Sequence, residues 1–408
     1  MCTGCGACAY YRPDSIEMID VPAFGRRPRV AAGPQGEEAA AEALAVCPGP
    51  ALSRGPEDLP QGLVPELLAG WGPVLEVWEG HAADPELRWA ASSGGAASAL
   101  ALACIEELGC HGVLHIDARA EAPHLNETVL SRTREELLDA TGSRYAPASP
   151  CEGLGKIEAA PGPCVFIGKP CDVAAAELAR RRRPKLDEKL ALSIGIFCAG
   201  TPSTNGTLAL MRELGVGEND PVERVRYRGN GWPGNFAITP RGDAPTPEPR
   251  SYAESWGFLQ EFRQWRCYVC PDHTGEFADI SVGDPWYQEI PPEAAGSSLI
   301  VIRTLRGKRS FEAALAAGYL EATRSDPSIL PASQPQLLAA RGALFGRILT
   351  TRLMGAAAPR LRGFPTFRFW LSELGFKQKL QAFYGTAKRV FSKRLLQRHP
   401  VPERDGPA

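Results

Sequence analysis

The pair Cys267-x-x-Cys270 is the sequence feature that most constrains how this chain folds. The Cys-x-x-Cys spacing places two thiolates within reach of one metal centre. Pro271 and a turn with Asp and Gly follow, and the apolar residues 278–282 predict a short buried strand that ends at Gly283. Two thiolates do not complete a tetrahedral sulfur site, so the fold has to bring two further ligands from elsewhere.

Two other cysteines follow predicted strands. Residues 164–167 and 190–197 are apolar and are typical of buried strands, and the loops after them contain Cys171 and Cys198. In open α/β sheets, ligands gather at the carboxyl ends of the strands. We therefore expect Cys171 and Cys198 to complete a four-cysteine site with the first pair. Asp172 is suited to cap a helix over residues 173–183.

Four cysteines lie outside this group and outside a second group near the N-terminus, and a lone cysteine usually acts as a small buried hydrophobic residue. This interpretation applies to Cys104, Cys110, Cys151 and Cys164.

The N-terminus carries a second, independent cysteine group, Cys2-x-x-Cys5-x-x-Cys8. Gly4 and Gly6 permit the tight loop that turns three sulfurs toward one point. In bacterial-type ferredoxins such a run holds three corners of a 4Fe–4S cluster, and a remote Cys-Pro supplies the fourth. Cys47, which precedes a proline, fits that position. A zinc knuckle or a disordered cysteine-rich start remains an alternative.

Composition limits the class of protein. The chain has 408 residues, a net charge of −2 and 44% hydrophobic residues, which is typical of a soluble protein with two or more domains. The near-neutral charge argues against nucleic-acid binding. No apolar run approaches the ~20 residues that span a bilayer. Met1 is followed by Cys2 without an apolar signal segment, so we expect a cytoplasmic protein with reduced cysteines.

The pattern predicts three regions in an α/β fold. Residues 1–62 form a ferredoxin-like iron–sulfur module whose last part, 48–62, is a Pro- and Gly-rich linker. Residues 72–335 alternate strands and helices and predict a mixed α/β sheet domain. One of its helices is predicted over residues 311–320. Residues 336–408 form a helical, basic C-terminal extension.

The C-terminal extension is strongly basic, unlike the rest of the chain. Residues 341–408 hold fourteen Lys and Arg but three Asp and Glu, interleaved with aromatic residues. Basic amphipathic helices bind anionic membranes or partner proteins. A solvated helix that covers the domain is the simpler alternative. The first interpretation would place the protein at the inner face of a membrane.

A loop of small residues precedes the predicted helix 96–108. It consists of Ser92, Ser93, Gly94 and Gly95. Such a loop lets a phosphate or flavin approach backbone N–H groups and the helix dipole, although paired glycines often serve turns or packing. Arg144 and Tyr145 lie in a polar turn, where the arginine is either a phosphate ligand or a solvated side chain.

These segments together resemble one family, the beta subunits of coenzyme F-420 hydrogenases and dehydrogenases. Its relatives include the plant 7-hydroxymethyl chlorophyll a reductase and a class of divinyl chlorophyllide reductases. The matching segments span most of residues 75–305 in the family's order, and they are Ser93-Gly94-Gly95, 142–145, 168–171, Phe197-Cys198, 267–270, Ala278-Asp-Ile-Ser-x-Gly283 and 297–304. The N-terminal module is similar to that of the longer members.

The resemblance implies FAD and a 4Fe–4S cluster on Cys171, Cys198, Cys267 and Cys270. With the N-terminal set, the chain would carry two clusters. We place the flavin against the loop 92–95, with Arg144, Tyr145 and Lys169 as contacts to its phosphates or ring. The catalytic residues are not identified by the sequence.

Clusters carry single electrons, whereas a flavin exchanges two electrons with an organic molecule. The expected function is therefore an oxidoreductase that passes electrons between ferredoxin, or another redox protein, and a small organic substrate or deazaflavin coenzyme. Two alternatives stay open. The chain is an electron-transfer subunit without its own substrate, or it is a zinc-stabilised binding protein.

Overall fold

The computed structural model describes residues 1–289, 291, 293–397 and 401. The remaining residues of the predicted C-terminal extension, 398–400 and 402–408, lie outside the described part. The strands are β1 Ile16–Val21, β2 Gly25–Val30, β3 Ala51–Ser53, β4 Glu76–Ala82, β5 Gly112–Arg119, β6 Ala122–Ser131, β7 Cys164–Gly168, β8 Leu190–Ile196, β9 Val222–Arg226, β10 Asn235–Pro240, β11 Arg250–Ser251, β12 Ile280–Gly283, β13 Ser298–Ile302, β14 Leu320–Ser325 and β15 Arg360–Arg362.

The helices alternate with these strands along much of the chain. They are α1 Ala7–Tyr11, α2 Pro34–Ala43, α3 Pro65–Trp71, α4 Pro85–Ala90, α5 Ala96–Glu106, α6 Arg134–Asp139, α7 Leu154–Ala159, α8 Pro170–Arg180, α9 Pro184–Lys189, α10 Thr204–Glu213, α11 Tyr252–Leu259, α12 Trp265–Tyr268, α13 Leu305–Ala316, α14 Ile329–Ser333, α15 Pro335–Gly342, α16 Leu344–Leu353, α17 Thr366–Ser372 and α18 Phe376–Ser392. Short 3-10 helices include Ser93–Gly95 and Pro150–Gly153.

The largest sheet has eight strands in the order β14-β4-β13-β12-β8-β7-β5-β6. Four adjacent strands of this sheet run parallel to one another, and they are β12, β8, β7 and β5. The strands on both sides of these four pair antiparallel. The central strands are apolar and buried, as expected of a sheet covered on both faces. The prediction of a mixed α/β sheet domain is confirmed.

Helices cover both faces of this sheet. Leu100 of α5 and Phe311 of α13 pack on one face in one apolar cluster. On the other face, Ile157 of α7 and Val173 of α8 belong to a second cluster, which also includes Tyr10 of α1. The N-terminal segment is therefore packed directly against the sheet domain.

Other strands form three smaller sheets. Strands β1 and β2 form an antiparallel hairpin, and β9, β10 and β11 form a separate three-stranded sheet. Strand β3 lies in the predicted linker and pairs in parallel with β15 of the C-terminal extension. None of the helices among the described residues is both long and apolar enough to cross a membrane.

Two local predictions are wrong. The helix predicted over 311–320 spans Leu305–Ala316, and Leu320 instead begins β14. Thr304 caps this helix, since its hydroxyl accepts a hydrogen bond from the Gly307 N–H at 3.0 Å. Asp172 is not an N-cap: it lies in the first turn of α8, and its carboxylate accepts a hydrogen bond from the backbone N–H of Lys169.

Candidate functional site

Four of the predicted metal ligands surround one small cavity of about 30 Å³. Cys171 is the second residue of α8, Cys198 follows β8, and the pair Cys267 and Cys270 lies in and just after α12. The parallel strands β7 and β8 end at the same edge of the sheet, so the loops after them converge. We call this space the cysteine cavity.

Burial controls the charge of these sulfurs. It raises the pKa of Cys198 to about 12 and that of Cys270 to about 11, and it raises the pKa of Cys171 well above its ordinary value. Without a bound cation, Cys171, Cys198 and Cys270 are therefore neutral thiols at neutral pH. A metal centre would supply the positive charge that converts them to thiolate ligands.

Arg266 brings a positive charge to the same cavity. Its Nη1 donates to the carbonyl of Val269 at 2.9 Å, and its Nη2 donates to the carbonyl of Pro48 at 3.1 Å. Its Nε is buried and has no hydrogen-bond partner among the residues that the structure describes. Arg266 is one of the residues that line the cysteine cavity.

The N-terminal cysteines form a second group. Burial raises the pKa of Cys8, and the sulfurs of Cys5, Cys2 and Cys47 raise it further. Gly4 and Gly6 have φ values of +77° and +89°, in the left-handed region that glycine adopts readily. A Cβ at residue 6 would lie 2.8 Å from the backbone nitrogen of Glu152, so the loop also needs glycine for close packing.

Cys151 connects the two cysteine groups. Its backbone N–H donates to the carbonyl of Cys5 at 2.9 Å, and its thiol donates to the carbonyl of Asp172 at 3.2 Å. Asp172 is the residue next to Cys171. The buried position of Cys151 agrees with the sequence analysis, but its place between the groups was missed because a lone cysteine carries no local signal.

A larger cavity of about 280 Å³ lies beside the cysteine cavity. Cys198, Gly200 and Thr201 line both. Six of the seven predicted flavin contacts line the larger cavity, and they are Ser92, Ser93, Gly95, Arg144, Tyr145 and Lys169. Gly94 lies behind this wall, where a Cβ would lie 2.8 Å from the carbonyl oxygen of Gly296.

The loop before α5 has an unusual backbone. Ser93, Gly94 and Gly95 have φ values of +53°, +71° and +75°. The loop is closed by a hydrogen bond from the Gly95 N–H to the Ser92 carbonyl at 3.2 Å, and glycine adopts such left-handed angles readily. Ala97 and Ser98 from the first turn of α5 also line the cavity, so the positive end of a helix dipole faces the same space.

An ion pair and aromatic rings form another part of the wall. Arg228 and Asp284 are joined by two hydrogen bonds of 3.0 and 2.8 Å, and Asp284 also accepts from the Ser93 hydroxyl at 2.6 Å. The rings of Tyr252 and Trp286 stack with centroids 5.4 Å apart. Sequence reasoning missed Asp284, Tyr252 and Trp286 as wall residues, because they come from distant segments.

Two predicted contacts have firm protein partners. The guanidinium of Arg144 donates to the side chain of Asn126 and to the carbonyls of Pro123, Leu125 and Val225, so its role toward a phosphate stays a prediction. Lys169 Nζ donates to Asp172 at 2.6 Å. Burial would lower the pKa of Lys169, but the carboxylate of Asp172 and nearby sulfurs raise it, and the net direction is upward. Lys169 is therefore a permanent cation in the cavity wall.

No group of three or more His, Cys, Asp or Glu side chains arranged to hold a metal ion is found within the described ranges. Cys171, Cys198, Cys267 and Cys270 surround the cysteine cavity instead.

Models of one protein family match this chain in two segments. The coenzyme F420 hydrogenase/dehydrogenase beta subunit N-terminal model matches residues 77–154, and the C-terminal model matches residues 163–328. The second segment contains the four cysteines of the cysteine cavity, which we call the inner cysteine group. They are Cys171, Cys198, Cys267 and Cys270. Both segments lie outside the N-terminal cysteine run.

Curated relatives carry the same name. A coenzyme F420 hydrogenase subunit beta from Methanosarcina barkeri is 25% identical over 248 residues, covering 58% of this chain and 78% of the relative. One from Methanococcus voltae is 26% identical over 250 residues, covering 60% of this chain and 83% of the relative. A chain from a solved F420-reducing NiFe hydrogenase complex of Methanosarcina barkeri aligns with a TM-score of 0.48 and 22% identity, covering 66% of this chain and 92% of that chain.

Proposed function

The chain belongs to the coenzyme F420 hydrogenase/dehydrogenase beta-subunit family, and from this membership we propose that it is an iron–sulfur flavoprotein oxidoreductase. It holds two 4Fe–4S clusters and FAD. It passes electrons between a ferredoxin-like donor and an organic substrate or a deazaflavin coenzyme. In this proposal, residues 1–62 form the ferredoxin-like module and 72–335 form the flavin and cluster domain.

The wall shared by the two cavities is the observation that carries the proposal. Cys198 faces the cysteine cavity on one side and the larger cavity on the other. A cluster on Cys171, Cys198, Cys267 and Cys270 would therefore adjoin a flavin in the larger cavity. Such a pair exchanges single electrons on one side and two electrons with an organic molecule on the other.

The residues present fit both groups. Four half-buried cysteines around open space suit a cluster, which spaces its ligands more widely than a single ion does, and Arg266 lines the same cavity. In the larger cavity, the start of α5 suits a pyrophosphate, because residues of its first turn line the space. The stacked rings of Tyr252 and Trp286 suit a flat aromatic ligand.

The protein's own residues have definable tasks in this site. Lys169, which is paired with Asp172, places a hydrogen-bond donor in the cavity wall. The buried Arg228–Asp284 pair fixes Ser93 and so orients the loop before α5. Cys151 links the N-terminal cysteine group to the inner cysteine group through Asp172, the residue next to Cys171.

A second candidate is an electron-transfer subunit without its own substrate. It is favoured by the names of the curated relatives, both of which are hydrogenase subunits. Activity of the isolated chain with reduced ferredoxin or a deazaflavin would support the first function. The second function would be supported if the bound clusters and flavin are reduced but the isolated chain turns over no organic substrate or deazaflavin.

The first test is the cofactor content after anaerobic purification. The proposal expects about eight irons and one flavin per chain. Cys47→Ala and Cys267→Ala should each remove about four irons, from different clusters. Cys164→Ala is the matched control, because this cysteine is buried away from both groups and should leave the iron content unchanged. Zinc with neither iron nor flavin, after reconstitution, would refute the redox function and leave a binding protein.

A further inference from the structure

Helices α17 and α18 and the residues just after them carry a concentration of exposed apolar side chains. Thirteen large hydrophobic residues are exposed in the part of the chain that the structure describes, and seven of them lie between residues 366 and 397. These seven are Phe367, Leu371, Phe376, Leu380, Tyr384, Phe391 and Leu396. We call this surface the C-terminal apolar face.

The face is organised as a row along α18. Phe376, Leu380 and Tyr384 are four residues apart, and Phe391 follows seven residues later, so all lie on one side of the helix. Phe376 and Tyr384 are 78% and 76% exposed. Ala382, Thr386 and Val390 are buried on the other side. The row is therefore not part of the core.

Positive charge surrounds the row. Residues 366–397 contain seven Lys and Arg and one acidic residue, Glu373, although the whole chain has a net charge of −2. Lys377 and Lys388 lie on α18 and are exposed, as is Arg368 on α17. The remainder of the chain is net negative, so this is the surface that an anionic partner would meet.

The inner side of α18 is fixed to the protein. Gly346 of α16 lies against it, since a Cβ there would be 3.3 Å from the Cβ of Ala382. The guanidinium of Arg389 lies 4.5 Å from the ring centroid of Tyr268, and Lys393 Nζ donates to the carbonyl of Arg263 at 3.1 Å. The helix is thus held with its apolar row outward, and its inner side lies beside Tyr268, one of the two residues between Cys267 and Cys270.

We propose that the C-terminal apolar face binds the surface of an anionic lipid bilayer, with α18 lying in the plane of the interface. Leu and aromatic side chains enter the boundary of the acyl chains, while Lys377 and Lys388 contact anionic headgroups. A second copy of this chain satisfies the observations less well, because symmetric pairing of the face would bring like charges together. This inference does not depend on the cofactors.

Vesicle co-sedimentation of the full chain tests the proposal. Binding is expected to phosphatidylglycerol/phosphatidylcholine vesicles and to be much weaker with phosphatidylcholine alone or in high salt. Leu380→Glu with Tyr384→Glu should lower the partition coefficient at least tenfold. The matched control, Leu108→Glu with Leu305→Glu, changes exposed leucines elsewhere and should leave binding unchanged.

Charge reversal provides a second measurement. Lys377→Glu with Lys388→Glu should reduce binding to anionic vesicles at least tenfold and should not change the residual binding to neutral ones. Absence of wild-type binding to anionic vesicles would overturn the proposal. So would light scattering that shows a dimer in solution that Leu380→Glu with Tyr384→Glu dissociates, since a second copy would then occupy the face.

Discussion

The backbone N–H of Cys151 donates to the carbonyl oxygen of Cys5 at 2.9 Å, and this bond ties the N-terminal cysteine loop to the sheet domain. The two side chains also influence each other: the Cys151 thiol lowers the pKa of Cys5, against the upward effect of burial. Two sulfurs therefore lie at the place where the sequence pattern assigns a ligand role to Cys5 alone.

The first prediction separates these sulfurs. Cys5→Ala should lower the iron content by about four per chain, because the N-terminal cluster loses a ligand. Cys151→Ala should keep the full iron content and its spectrum, because Cys151 is a neighbour of the ligands and not one of them. Iron and sulfide analysis with electron paramagnetic resonance gives the answer. Iron loss in Cys151→Ala but not in Cys5→Ala would reverse the assignment.

The second prediction concerns Gly94. Gly94→Ala should reduce the flavin content and the stability, because Gly94 has a φ of +71° and a Cβ there would lie 2.8 Å from the backbone of Gly296 and Ser297. Gly109→Ala is the matched control, with a φ of +69° and no atom within 4 Å. The control should cost about 1 kcal/mol from the backbone angle alone. Gly94→Ala should cost about 1–3 kcal/mol more from overpacking.

Flavin fluorescence after denaturation and thermal unfolding measure these effects. Full flavin content in Gly94→Ala, with a stability equal to that of Gly109→Ala, would remove the loop 92–95 from the proposed flavin site.

The inner cysteine group could be anticipated because it depends on a local rule. Apolar runs predict the buried strands before Cys171 and Cys198, and parallel neighbours bring the following loops to one edge. The helix after Gly95 was also predictable, since its start is marked by small residues and its end by Gly109. Local patterns therefore predicted which residues lie in the loops at the ends of the strands.

Contacts between distant segments could not be anticipated. Arg228 and Asp284 are 56 positions apart, and no local pattern pairs an arginine in a glycine-rich loop with the aspartate after a strand. The aromatic wall has the same origin, since Tyr252 and Trp286 meet only through the fold. The helix over 305–316, which was predicted six residues too late, did carry a start signal in its capping residue Thr304. The basic residues of its first turn hid the apolar periodicity.

The third prediction tests the buried ion pair. Asp284→Asn should destabilise the protein by about 3–5 kcal/mol, because Arg228, only 2% exposed, is left without a countercharge. The control is Glu213→Gln, which breaks the partly exposed pair with Arg250 and should cost about 1 kcal/mol or less. Urea unfolding measures both. Equal effects would show that the Arg228–Asp284 pair contributes no more than a surface pair.

The fourth prediction is a pH dependence. Burial lowers the pKa of His115. Its Nδ1 lies 3.1 Å from the carbonyl oxygen of Ile116 and its Nε2 lies 2.7 Å from the hydroxyl of Ser131. As the pH falls below about 6.5, the unfolded chain takes up a proton at this residue and the folded chain does not. Stability should therefore decrease, by at most about 1.4 kcal/mol per pH unit for this residue.

Unfolding of the wild type and His115→Gln between pH 7.5 and pH 5.5 measures this slope. The slope should be smaller in the variant, and the other histidines contribute equally to both proteins. Ser131→Ala keeps the titrating ring and should keep most of the slope. An unchanged slope in His115→Gln would show that this histidine does not titrate differently in the two states.

The fifth prediction concerns Arg266, whose charge reaches both cysteine groups. Burial raises the pKa of Cys47 and of Cys270, and the positive charge of Arg266 opposes this effect at both residues. A cluster becomes more negative when it is reduced, so a nearby cation should favour reduction. Arg266→Met should therefore lower the reduction potentials of both clusters by tens of millivolts, where about 59 mV is a tenfold change in the one-electron equilibrium.

Anaerobic redox titration followed by electron paramagnetic resonance measures the two potentials. Arg266→Lys is the matched control, because it keeps the charge but loses the paired hydrogen bonds to Val269 and Pro48. Its potentials should stay near those of the wild type. Equal shifts in Arg266→Met and Arg266→Lys would attribute the effect to the hydrogen bonds and not to the charge, and a shift in one cluster alone would place Arg266 beside that cluster only.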